Sequence, residues 1–164
     1  MNIDIHSHFF PIDAFRNAAS YRDRAPEVRL ENGRLTVTSG GGMRGNLSVG
    51  AYDPAARIED LDRMKIDLQA ISPSPIMLFY WDDPASAAYF SRLQNEAIQA
   101  VVKAHPDRFV GFGSVPLQSV RDAVAIAEEA ERSGLKGLES LGSSLGVRSC
   151  FLYQGLFANQ LTVA

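Results

Sequence analysis

The sequence predicts an α/β protein in which short strands and amphipathic helices take turns around a parallel sheet. Two observations carry that reading. Apolar segments with strand character stand at residues 2–6, 67–71, 108–113 and 135–139, and stretches with helical period fill the intervals between the last three. Strands spaced by helices in this way pair in parallel through right-handed crossovers. Periodicity alone leaves two outcomes open, since βα units close into a barrel or stay as an open sheet.

Taken in order, residues 2–6 alternate polar and apolar, as a half-buried strand does. Residues 10–50 form a long excursion broken by Pro11 and Pro26, in which 27–30 and 34–38 pair as a hairpin across Glu31, Asn32 and Gly33. Order returns at Asp53 and Pro54, an N-cap followed by a residue suited to the first helical turn, with Ile58 and Leu61 at helical spacing behind them. The strand at 67–71 follows and is closed by Ser72, Pro73, Ser74 and Pro75. A second helix spans 84–104, with Ala88, Leu93, Ala97, Ile98, Val101 and Val102 on its inner side. His105, Pro106 and Asp107 end it, and the strand at 108–113 comes next. The third helix spans 120–133, with Ala123, Val124, Ala127 and Ala130 inward and Gly134 as C-cap. Residues 135–139 open the fourth strand, and 140–164 carry no clear period.

Composition narrows the function classes. With 164 residues, 46% of them hydrophobic, the chain suffices for one domain with a core. A net charge of −3 gives no reason to expect nucleic acid or an anionic membrane as partner. The single cysteine, Cys150, forbids an intrachain disulfide. No apolar run reaches bilayer length, and Asp4, His6 and His8 interrupt what would be the apolar region of a signal peptide, so the expectation is a cytoplasmic protein. The turn after the first strand, His6 to Pro11, is not the glycine-rich loop of a phosphate binder.

The chemistry concentrates in Ile3-Asp4-Ile5-His6-Ser7-His8. Residues two apart in a strand share a face, so His6 and His8 can aim both imidazoles at one point while Ile3 and Ile5 meet the opposite layer. Two imidazoles suit Zn²⁺ or a similar divalent ion, although a catalytic site usually takes a third protein ligand and an open position. The competing reading is exposed polar chemistry at a strand end. His105, ahead of Pro106, reads as a helix C-cap at the surface.

The same opening, with Phe10-Pro11 behind it, resembles that of the amidohydrolase-superfamily enzymes of the aminocarboxymuconate-semialdehyde decarboxylase type. The resemblance runs through Asp53-Pro54-Ala55-Ala56-Arg57, Leu61-Asp62-Arg63-Met64, Gln69-Ala70-Ile71-Ser72, Met77-Leu78-Phe79-Tyr80-Trp81 and Asn95-Glu96. It is densest from His105-Pro106-Asp107-Arg108-Phe109 to Pro116-Leu117-Gln118, and in all it covers about residues 1–139.

That resemblance implies the N-terminal half, about four βα units, of a (β/α)8 TIM-type barrel, with a small hairpin inserted at 27–38 after the first strand. It implies one divalent metal, usually zinc, held by His6 and His8, by a histidine after the fifth strand and by an aspartate after the eighth, with a further histidine as acid or base. The implied reaction is decarboxylation of a small unsaturated or aromatic carboxylic acid, with hydrolysis of a lactone or amide as the alternative within the superfamily. Such a metal lowers the pKa of bound water and stabilises developing negative charge. Arg44 stands where the family sets an arginine against a substrate carboxylate, although surrounding glycines also fit a solvated loop residue. Phe79 and Trp81 follow the second predicted strand, where they line a pocket for a planar substrate or simply pack. Arg57 and Arg63 read as solvated or ion-paired.

The chain departs from the family pattern after Glu139. No histidine and no metal-binding aspartate follow, and 140–164 do not continue the family sequence. The expectation is a truncated or frame-shifted product or gene fragment, with no acid or base residue identifiable in it. The alternatives are a half-barrel that dimerises to complete a site, a partial sequence, or a non-catalytic interaction module.

Overall fold

Capping chemistry sets the helices where the sequence places them. The computed structural model describes residues 1–31, 34–40, 44–141 and 152–156. The Asp53 carboxylate accepts from the Ala55 and Ala56 amides and starts helix α2, Pro54–Met64; Lys65 ends it in the left-handed region. Asp83 caps α3, Pro84–Ala104, in the same way, and His105 closes it through its amide. Ser119 caps α4, Val120–Ser133, whose end is Gly134 at φ 99°. One inward position is corrected: Val124 is exposed, while Ile126 and Ala130 carry the buried stripe.

Between these helices run β1 (Ile3–Phe9), β5 (Leu68–Pro73), β6 (Phe109–Gly113) and β7 (Gly137–Leu141), adjacent in that order and parallel throughout. This is the strand order of a half-barrel, the predicted α/β architecture. A last strand, β8 (Leu152–Leu156), pairs antiparallel with β7, so the stretch that reads as a featureless tail contributes to the sheet.

The excursion holds more structure than a hairpin. A short helix α1, Ile12–Arg16, precedes it, and β2 (Glu27–Glu31) pairs with β3 (Arg34–Thr38) as expected. A third strand, β4 (Arg44–Leu47), adds to β3 and completes an antiparallel sheet of its own. At five residues, α1 is too short for periodicity to show.

Two layers of side chains hold the molecule. Phe9, Leu61, Ile71, Ile98, Phe109 and Leu135 fill the space between the parallel sheet and its helices. Phe10, Phe15, Leu35, Val37, Phe79 and Phe90 tie the small sheet and α1 to the start of α3. At Gly111 a Cβ would lie 2.6 Å from Leu135 Cδ2, just past the end of α4, and 3.0 Å from Ile98 Cγ2 of α3, which is why a glycine stands there. No helix among the described residues is long and apolar enough to cross a membrane.

Candidate functional site

Strand β1 runs further than the alternation at 2–6 suggests and carries both histidines to its C-terminal end. Its register against β5 contains one extra residue. Asp4 lies opposite Gln69 and Ser7 opposite Ile71, so Ile5 and His6 share the place facing Ala70. The phase before the bulge therefore differs from the phase after it. Asp4 and Ser7 lie on the Gln69 side, and Ile3 lies on the same side as His8, with Leu68 and Ser72. The expectation that Ile3 and Ile5 meet the opposite layer is thus corrected: the bulge brings Ile3 round to the histidine side, and Ile3 and Ile5 are 45% and 71% exposed.

The imidazoles of His6 and His8 do come together, with ring centroids 4.9 Å apart and planes crossing at 80°. His6 is exposed and His8 half-buried. Burial, reinforced by the neighbouring His6, lowers His8 to about 4, so its ring is neutral near pH 7, the form that ligates metals. Its Nδ1 lies 3.3 Å from Ser72 Oγ and 3.5 Å from Glu139 Oε1, which reaches over from β7.

A buried arginine fixes this strand from behind. Arg57 of α2 donates to the His8 carbonyl at 2.5 Å, the Ser7 hydroxyl at 2.6 Å, the Gly50 carbonyl at 2.6 Å and Gln69 Oε1 at 2.9 Å. Gln69 passes the contact on to Asp4 at 2.7 Å, so both sides of the bulge hang on one guanidinium. Burial pulls Arg57 down to about 10, with Asp4 acting in the opposite sense, and it stays charged at neutral pH. The expectation of a solvated or ion-paired Arg57 is corrected by this clamp. A cation on the same helical stripe as Ile58 and Leu61 was the available signal. Arg63, by contrast, pairs with Asp60 at the surface.

The remaining candidates fall elsewhere. Arg44 opens β4 in the small sheet, and its side chain lies outside the described residues. Phe79 is fully enclosed and stacks on Phe90, with centroids 4.3 Å apart and planes within 12°. It holds φ at 54°, an unusual conformation for an aromatic residue, and its carbonyl accepts from Gln118 at 2.7 Å. Trp81, 5.7 Å from the Phe79 ring, is 37% exposed and offers the open aromatic surface of the pair. His105 caps α3 and sets its ring edge-on to Phe109.

The donor set fits part of a divalent-metal site. Two imidazoles at a strand end match two positions of a tetrahedral ion. Among the described residues no group of three or more His, Cys, Asp and Glu is arranged to hold a metal ion.

Comparison with known proteins sets this half-barrel beside proteins that share its fold over most of its length. The chain is 29% identical over 126 residues to the 2-amino-3-carboxymuconate-6-semialdehyde decarboxylase of Caenorhabditis elegans, covering 76% of this chain and 31% of that protein. To the Dictyostelium discoideum protein of the same name it is 28% identical over 152 residues, covering 88% and 41%. The chain thus spans between about a third and two fifths of the length of these curated relatives. Among solved structures, the apo form of Metarhizium anisopliae IDCase superimposes with a TM-score of 0.66 at 18% identity, over 84% of this chain and 41% of that one. The 5-carboxyvanillate decarboxylase LigW of Sphingomonas paucimobilis gives 0.60 at 16%, over the same shares. No protein-family profile matches the chain.

Proposed function

We propose that this chain carries the first-strand part of the active site of a metal-dependent decarboxylase, acting on a small unsaturated or aromatic carboxylic acid. The convergence of His6 and His8 at the C-terminal end of β1 is the observation that supports it, because sites in βα barrels are built at that end. Both curated relatives are named as decarboxylases, which favours loss of a carboxylate over hydrolysis of a lactone or amide.

In this reading His6 and His8 hold two positions of a divalent ion, zinc by expectation. When bound, the ion supplies Lewis-acid stabilisation of negative charge. The chain's own residues do the rest of the work assigned here. Arg57 fixes the backbone carbonyl of His8 and so the direction in which that imidazole points. Arg44 serves as the fork for a substrate carboxylate, and Trp81 as a face for a planar substrate, with Phe79 buttressing Trp81 from inside the core.

A hybrid enzyme tests the proposal. Residues 1–139 replace the equivalent N-terminal portion of the C. elegans relative, and release of CO2 from the relative's substrate is followed. The hybrid is expected to decarboxylate, and H6A or H8A to abolish turnover and reduce bound metal. A folded hybrid that keeps its activity in H6A and H8A would sink the proposal.

A further inference from the structure

Glu139 is the one fully enclosed carboxylate among the described residues, with no exposure to solvent. It stands in a parallel strand, where near-continuous apolar side chains are the rule. Enclosing a carboxylate is costly unless a donor or cation meets it, and Oε1 lies 3.5 Å from His8 Nδ1. The same nitrogen lies 3.3 Å from Ser72 Oγ. That hydroxyl donates to the Ser7 carbonyl at 3.2 Å, which leaves its lone pairs for the imidazole. Two acceptors therefore face one ring nitrogen, and a neutral imidazole has one proton to offer.

We infer that Glu139 is a positioning residue that fixes His8 as the Nδ1–H tautomer and leaves the Nε2 lone pair for a divalent cation. The inference rests on the metal reading of the histidine pair and adds to it a role for the fourth parallel strand. Glu139 acts through His8 and touches neither the ion nor the substrate. A carboxylate behind a ligating imidazole fixes the ring's orientation and raises its basicity. Ser72 shares the position through its hydroxyl, and Glu139 places a second acceptor there.

The test uses the full 164-residue chain with ¹⁵N-labelled histidine. Long-range ¹H–¹⁵N correlation reads the His8 tautomer without metal, and a Co²⁺ titration followed by paramagnetic shifts of the histidine signals reads affinity. Wild type is expected as Nδ1–H. E139A is expected to populate the Nε2–H form and to weaken Co²⁺ binding by roughly 10–100-fold. E139Q, whose amide oxygen still accepts, is expected to keep the tautomer and lose less affinity. If E139A does not fold, E139L refills the space and carries the same comparison. His8 found as Nε2–H in wild type, or an unchanged tautomer in the folded E139A or E139L chain, overturns the inference. His8 found as Nδ1–H in a chain that takes up no Co²⁺ overturns the metal reading and supports the positioning role of Glu139.

Discussion

At the scale of single residues, Arg57 shows how one buried side chain can hold the end of a strand from behind. Its guanidinium serves four acceptors, two of them on Ser7 and His8. R57M would keep the volume and strand those acceptors, so a loss of about 2–4 kcal/mol in urea unfolding is expected. R57K restores only part, because an ammonium lacks the fork that spans four acceptors. A change below measurement error in R57M would remove the clamp from the account. Phe79 and Trp81 separate in the same assay. F79A is expected to cost about 3–5 kcal/mol as a core truncation, and W81A about 1 kcal/mol. A loss of hybrid turnover in W81A without loss of stability would mark Trp81 as part of the pocket. Neither Arg57 nor Phe79 is legible from residue type alone. A charge defaults to solvent and an aromatic after a strand fits a pocket as well as a core, so only the packed partners decide.

Elements are legible where local chemistry sets them. Asp53 caps the first long helix as the sequence assigns it, and Asp83 and Ser119 cap the other two just ahead of the spans the sequence places, because capping needs only backbone within three residues. Asp83 also carries a pH signature. The Ser86 amide and hydroxyl hold its carboxyl below the ordinary value of 3.8. A depressed carboxylate contributes stability that is present in full above 3.8 and declines as pH falls from there through the lowered value. D83N keeps a capping oxygen without the charge. Its Tm should therefore lie below wild type at pH 7, and the difference should shrink on acidification to pH about 3. A gap that stays constant across that range would refute the assignment. The elements that escaped reading are those whose pairing is non-local. Strand β4 adds to β3 across a glycine-rich stretch, and β8 pairs with β7 from a segment without alternation.

For the molecule as a whole, the alternation of strands and helices makes the parallel sheet legible, while closure toward a barrel is read only from resemblance to known barrels. The positions of His6 and His8 were legible as a pair, but the partners of His8 were not. Glu139 arrives from more than a hundred residues away through three parallel pairings that no local pattern encodes. The described sheet leaves Ile3 and Ile5 substantially exposed on its edge strand. I5S should consequently leave unfolding free energy within about 0.5 kcal/mol of wild type and lower the fluorescence of an apolar dye such as ANS. Undiminished dye binding would place the sticky surface elsewhere. The extra residue in β1 has a bearing on inheritance. Because Ile5 and His6 oppose a single position, Asp4 and Ser7 keep their partners whether one residue or two stand between them. Loss of the Ile5 codon should be absorbed as a regular ladder, whereas a codon gained between Ser7 and His8 would turn His8 away from Glu139. The strand thus tolerates a change of length ahead of the histidine pair and not between its two members.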